Sequence, residues 1–444
     1  MQFSVFQESF DIMSVTIFLA LLGGIIVLGF FGSFLFSKTK IPNPVILMLV
    51  GIILGPATHF VTSGTFMQIA PYFGTVALIL IMFEGGLDLE FEVAISQFNT
   101  ALFLGLLYFA IVAGSVTVVC LLLLRLELVP ALLYGSIMAG TSPAVIFPVL
   151  SKLSISKNLK TLLSLETALT EVLTVVSVVL ILDVVKEPET ATPSAMFSHI
   201  SISIGISLFF ATIAGLLWGR FMGVFSRESL AYMLTLGFVL LLYSLSELAG
   251  GDAAITILFF GLILGNGKWI ASKSIQVLHQ WVKTNLDASH FELDEVVKKI
   301  NAEVSFLIRT FFFVFMGLLF DFSMFSPVVI LVSISILLIQ IFGRLGSIRT
   351  ILPFSPSLQG NHISASMAMV PRGLACAVMA FVVVKSNMPG TETLVPIAFS
   401  TILLSNLSMT GFVFFYESKH APKTAVSQKK EQKELETKAE SVEG

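Results

Sequence analysis

Charge is scarce in this chain. Only 12% of its 444 residues are Asp, Glu, Lys or Arg, about half the fraction of an average soluble domain. So few charges cannot coat a globular surface of this size, which argues against a soluble enzyme. Cysteine is almost absent as well: Cys120 and Cys376 alone exclude a disulfide scaffold and a Cys-rich metal centre. Tyr and Trp number 6 and 3 against 41 Phe, so most aromatic rings lack a polar handle and suit lipid better than a hydrogen-bonded core. No G-x-x-x-x-G-K-[ST] stretch is present, which argues against nucleotide-driven chemistry. Neither H-E-x-x-H nor G-x-S-x-G nor a paired G-x-G-D occurs, so an intramembrane hydrolase is disfavoured. The net charge of −3 gives no sign of a nucleic-acid partner. Residues 1–11 carry no Lys or Arg and lack the basic region of a cleavable signal, so the first apolar run is expected to be retained.

Long apolar stretches are what the chain does have, with 56% hydrophobic residues and a mean hydropathy of +0.95. Runs of bilayer-spanning length fall at 14–36, 41–62, 66–87, 98–124, 129–150, 161–185, 196–225, 231–250, 252–270, 304–325, 327–347, 361–385 and 393–416. The expected fold is an all-α polytopic membrane protein of thirteen spans. Cytoplasmic loops carry an excess of Lys and Arg. An outward N-terminus puts Lys38, Lys40, Lys152, Lys157, Lys160, Arg220, Arg227 and Arg349 inside and only Arg125, Lys186 and Lys385 outside. The chain is therefore expected in the cell membrane with its C-terminus in the cytoplasm. The loop 266–303, with five Lys, and the polar tail 417–444 then also lie inside. Within that loop, 274–300 has apolar residues at helical spacing, as in a helix lying on the membrane surface. The tail reads as disordered or weakly helical, and 1–416 as one membrane domain.

An ionisable group inside a span is costly and marks a functional candidate. Glu84, Glu166, Glu171, Arg309, Arg344 and Arg372 qualify, while Asp183, Glu247 and Asp321 lie near outer ends and read as solvated end residues. Arg309 and Arg344 admit the same reading at inner ends. Glu166 and Glu171 are five residues apart, about 140° around a helix, so they need not share a site. Thr167 and Glu171 are four apart and share a face, an oxygen environment suited to a hard cation or a proton. Pairing Arg372 with Glu166 is the most economical use of the few deep charges and leaves Glu171 free to titrate.

Two spans are interrupted mid-membrane by Pro and Gly: Gly140-Thr141-Ser142-Pro143 in the fifth and Val370-Pro371-Arg372-Gly373 in the twelfth. These are the fifth members of two six-span halves, related by inversion if span 7 is a connector. Interrupted helices at matching places in inverted halves point to a transporter's binding site.

These residues resemble a sodium/proton antiporter of the cation/proton antiporter superfamily, in its NhaP-like branch. The resemblance covers 14–416 and rests on Phe83-Glu84-Gly85-Gly86-Leu87, Gly140-Thr141-Ser142-Pro143, Glu166-Thr167, Thr170-Glu171, Gly343-Arg344 and Arg372-Gly373. It implies two inverted six-helix repeats, with spans 4–6 and 11–13 as a mobile core and the other spans as a dimerisation scaffold. It further implies that Glu171 takes the place of the ion-binding aspartate and Thr170 that of the preceding Asn. Thr167 and Thr141 become hydroxyl and carbonyl ligands, and Glu84 an acidic group facing the site. Ser142 stands where many relatives carry Asp. Glu166 and Arg372 match a buried ion pair, and Arg344 a second arginine.

The expected activity is electroneutral 1:1 exchange of a monovalent cation for H⁺ by alternating access, in a homodimer serving pH homeostasis. Na⁺ leads, with Li⁺ or K⁺ as alternatives; the cation is cargo, held by Glu171, Thr141 and Thr167, and no cofactor is expected. Lipid is the other partner. A cation channel or uniporter is the runner-up, disfavoured because no filter such as TVGYG is visible.

Overall fold

The computed structural model describes residues 23–31, 34, 43–57, 64–153, 155–186, 193–225, 231–267, 269, 295–318, 320, 326–355, 358 and 362–420. Those residues are helical or in connections, with no strand among them. Eight helical segments among them are long and apolar enough to cross a bilayer, and three shorter apolar helices accompany them. Large apolar side chains stand exposed along their outer faces, Phe209 at 61%, Leu241 at 63% and Phe342 at 65%. A water-facing surface does not tolerate that density of bare hydrocarbon, whereas lipid does. The chain is an integral membrane protein.

After a helical stretch at 23–31, α1 (Asn43–Ile52) runs into a π-turn at Ile53–Ala57, and α2 (Gly64–Asp88) follows. Helices α3 (Phe91–Leu123), α4 (Leu128–Ala139), α5 (Pro143–Lys152) and α6 (Lys157–Lys186) come next. They are followed by α7 (Pro193–Phe225), α8 (Ala231–Leu248), α9 (Ala253–Gly265), α10 (Glu295–Leu318) and α11 (Pro327–Ile351). The last are α12 (His362–Met367), α13 (Leu374–Lys385) and α14 (Leu394–His420). Starts and stops follow local chemistry. Asp252 caps α9 by accepting from the Ile255 N–H at 2.8 Å, and Ser326 caps α11 through Val329 N at 3.3 Å, with Pro327 at the first helical position, where its missing N–H costs nothing.

Helices α3, α4, α6, α11, α13 and α14 pack on one another, as do α1, α2, α7, α9 and α10. The second group is held by glycine contacts. A Cβ on Gly51 of α1 would run into Val314 O of α10, and one on Gly86 of α2 would run into Leu258 O of α9. Backbones that approach so closely gain dispersion contacts where lipid offers no hydrophobic drive.

The fifth apolar run is two helices, α4 and α5, separated at residues 140–142, and the twelfth is α12 and α13, separated at 368–373. Other boundaries differ from the hydropathy reading. Helix α10 begins at Glu295 rather than 304, so 295–300, read as the end of a surface helix, continues into a span; residues 274–294 lie outside the described ones. Helix α3 starts at Phe91 rather than 98, and α14 extends to His420, four residues into the expected tail, whose remainder lies outside the described residues. Polar turns continue these helices beyond the apolar run because backbone hydrogen bonding does not stop where hydropathy does.

Candidate functional site

The two interruptions meet. Ser142 N–H donates to Pro371 O at 3.0 Å, and a Cβ on Gly373 would collide with Ser142 Oγ, so glycine is required for this approach. Each break leaves a helix C-terminus with orphan carbonyls and a helix N-terminus with orphan N–H groups. The partial charges of two half-helix pairs thus converge at one depth.

The carbonyl ends are met by arginines. Arg372 Nε donates to Met138 O, in the last turn of α4, at 2.8 Å. Its Nη1 donates to Val370 O at 2.6 Å and its Nη2 to Tyr108 Oη at 2.8 Å. Gln340 Nε2 also donates to Met138 O, at 3.2 Å. Arg344 Nε donates to Ser366 O, in the last turn of α12, at 2.9 Å. Its Nη1 lies 2.9 Å from Glu166 Oε1, with both side chains fully buried; the contact is Coulombic, without hydrogen-bond alignment. The expected Glu166–Arg372 pair is therefore corrected: Glu166 pairs with Arg344. Arg372 sits inside a break, and its donors are taken by freed carbonyls and a phenol. Arg344, fully buried, is not an inner-end residue reaching headgroups. Tyr108 lies between the two, 5.3 Å from the Arg344 guanidinium and 5.6 Å from that of Arg372, a double cation–π contact.

Glu171 faces the N-terminal side of the crossing. Its carboxylate lies beside the Ala375 N–H at the start of α13, and its Oε2 has no hydrogen-bond partner. A crevice too tight for water is lined by Gly140, Thr141, Ser142, Glu171, Thr174 and the first turn of α13. Ser142 Oγ is likewise buried without a partner. A buried, unsatisfied oxygen costs about 1–3 kcal/mol, so the crevice presents two oxygens able to take a hard cation, one of which can take a proton instead.

Thr170 orders this site from outside it. Its Oγ1 donates to Thr167 O at 3.0 Å and lies 2.7 Å from Thr141 Oγ1 and 3.2 Å from Thr141 N. A hydroxyl has one proton to give. With Thr170's committed to Thr167 O, the Thr141 hydroxyl must donate to Thr170, which leaves Thr141 Oγ1 lone pairs for other use.

Glu84 is elsewhere. It lines a separate cavity of about 460 Å³ with Asp88, Lys152, Lys160, Ser164 and Arg309, and Arg309 Nη1 lies 3.7 Å from its Oε2. Ser164 is seven residues before Glu171 on α6, on the same face and about 10 Å away along the axis. The cavity thus approaches the crevice along α6.

Of the residues expected at the site, Thr141, Ser142 and Glu171 line one crevice, and Thr170 supports it. Thr167 is buried, but its hydroxyl has no hydrogen-bond partner and it does not line the crevice. Glu247 is exposed. Sequence reasoning passed over Thr174, Tyr108 and Gln340. Thr174 follows Thr170 by four residues, and Gln340 precedes Arg344 by four, so each extends a polar face already noted.

Comparison with known proteins agrees with the family resemblance. Residues 16–416 match the family described as sodium/hydrogen exchanger, transmembrane. Na(+)/H(+) antiporter 1 of Methanocaldococcus jannaschii is 25% identical over 319 residues, 68% of this chain and 68% of that protein. K(+)/H(+) antiporter NhaP2 of Shewanella sp. (strain MR-4) is 27% identical over 237 residues, 52% of this chain and 40% of that protein. The structure of the sodium proton antiporter MjNhaP1 from Methanocaldococcus jannaschii at pH 8 shares the fold, with a TM-score of 0.70 at 20% identity over 92% of this chain and 99% of that one. On the match across 16–416, the chain belongs to the transmembrane sodium/hydrogen exchanger family.

Proposed function

We propose that this protein exchanges a monovalent cation for protons, with Glu171 binding the two in turn. The observation that carries the reading is the unpartnered, buried Oε2 of Glu171 at the crossing of two interrupted helices. A carboxylate there is too costly to leave bare, so it holds either a cation or a proton, and the two exclude each other. The relatives named as Na(+)/H(+) and K(+)/H(+) antiporters support this class of reaction. Na⁺ is the first candidate, and Li⁺ and K⁺ are alternatives. Glu171, Ser142 and Thr141 supply oxygen donors suited to such ions; Thr167 would join only if its hydroxyl turned toward the crevice.

The arrangement is thirteen spans in two inverted halves, N-terminus outside and C-terminus in the cytoplasm. The helices packed around the crossing, α3–α6 and α11–α14, form the moving core. The remainder is the scaffold and pairs with a second copy. Alternating access carries Glu171 past that scaffold, and the cavity beside Lys152 and Lys160 is its cytoplasmic approach. Exchange is electroneutral at 1:1, because Glu166 is matched by Arg344 and Glu84 faces Arg309, which leaves one titrating carboxylate. In the cell membrane such exchange would serve pH homeostasis.

The test is purified protein in liposomes with an imposed pH gradient, challenged with Na⁺, Li⁺ and K⁺ in turn. Collapse of the gradient by at least one of them is expected. A gradient that none of them collapses would overturn the proposal.

A further inference from the structure

We infer that Arg309 is a tethered cation that offsets Glu84 on the cavity wall and thereby sets how strongly the cavity attracts the transported ion. The inference rests on the function proposed above and assigns a role to a residue outside the crevice. Glu84 and Arg309 stand on α2 and α10, which pack against each other, so their pairing is independent of the helices around Glu171. Their closest approach, 3.7 Å, is beyond hydrogen-bond length, and the Glu84 and Arg309 side chains keep 25% and 15% of their surface. A guanidinium remains charged at any working pH. An approaching cation therefore meets a carboxylate already screened by a loosely held charge rather than a bare anion.

The surroundings fit an exchangeable partner rather than a structural pair. Arg344, by contrast, is fully buried and tied to both a carboxylate and a carbonyl. Asn301, Ser305 and Arg309 succeed one another at four-residue spacing on α10 and form one polar face. Ser305 lies beside the Glu84 carboxylate, its hydroxyl donating to Leu80 O at 3.5 Å, so Glu84 keeps a polar neighbour when the guanidinium moves aside. The cavity holds about 460 Å³, room for the arginine to swing away and a hydrated ion to take its place. Lys152 and Lys160 also line the cavity and add positive potential, while Asp88 adds negative, so Glu84 shares the attraction for a cation with Asp88, and Arg309 regulates the share of Glu84.

The test is the apparent KM for the transported cation in liposomes. Arg309→Gln should lower KM about two- to fivefold, the range that partly exposed ion pairs are worth, with the maximal rate within twofold of wild type. Arg309→Lys should keep the wild-type KM, and so should Arg349→Gln, which removes an exposed charge on α11. In a Glu84→Gln background, Arg309→Gln should give no further decrease. Glu84→Asp draws the carboxylate back from Arg309 while keeping its charge, and should also lower KM; this second variant carries the test if Arg309→Gln does not fold. An unchanged or raised KM in the folded variants, or the same decrease without Glu84, would overturn the inference. Absence of exchange in the wild type would instead refute the function itself.

Discussion

Replacing Arg344 by Leu should be among the most damaging single changes in the protein, and its coupling to Glu166 can be measured. Both side chains have no exposed surface, and the contact between them is 2.9 Å. Removing one member of such a pair strands a buried charge, at about 3–5 kcal/mol. It also removes one of the two donors to Ser366 O, Arg344 Nε at 2.9 Å, leaving the Met369 N–H at 3.1 Å. Glu166→Gln alone should cost a similar amount, because it leaves the guanidinium unmatched. Once either partner is gone, removing the second relieves the stranded charge, so the double variant should lose about 2–4 kcal/mol less than the sum. Arg372→Leu should also destabilise, but by orphaning Val370 O and leaving Met138 O to Gln340 alone, and its coupling to Glu166 should stay below about 1 kcal/mol, as for sites without a shared contact. The assay is reversible unfolding in mixed detergent micelles for the four proteins of each cycle. A coupling of Glu166 to Arg372 larger than that to Arg344 would refute the pairing.

Three further outcomes follow from the same geometry. Gly373→Ala places a methyl group against Ser142 Oγ and should abolish exchange, with partial recovery in Gly373→Ala/Ser142→Gly; full activity of the single variant would show that the breaks do not need this approach. Thr170→Val removes the 2.7 Å contact to Thr141 Oγ1 and the 3.0 Å bond to Thr167 O. It should cost about 1–2 kcal/mol of stability and raise the cation KM severalfold, whereas Thr170→Ser should stay close to wild type on both measures. Exchange in potential-clamped liposomes should keep the same null point at every voltage; a null point that moves would mean a second proton is carried, with Glu84 as its carrier.

The breaks were legible in the sequence because Gly and Pro fall close together in each, Gly140 with Pro143 and Pro371 with Gly373; Pro143 opens a helix where its missing N–H costs nothing, whereas a lone Pro such as Pro148 lies within α5 without ending it. Glu171 stood out in the sequence only as one of three carboxylates inside apolar runs, with Glu84 and Glu166. The arginine pairing was not. Counting charges favoured Arg372 for Glu166, but the deciding quantity is the set of orphan carbonyls that each broken helix exposes, and those become visible only once α4, α12 and α13 are placed together. Tyr108 was illegible for the same reason: nothing in its local sequence distinguishes a phenol between two guanidinium groups from one in lipid. The start of α10 was misplaced because hydropathy marks where a helix meets apolar surroundings, not where its backbone hydrogen bonds begin.

Competition of a cation and a proton for one carboxylate is the centre of this account, and proton release on cation binding tests it most directly. Purified protein in weakly buffered detergent should release about one proton for each cation bound, with affinity falling as pH falls because the proton occupies the same oxygen. Glu171→Gln, folded, should bind no cation at the crossing and release no proton. Cation binding without proton release, or release that persists unchanged in Glu171→Gln, would contradict the account.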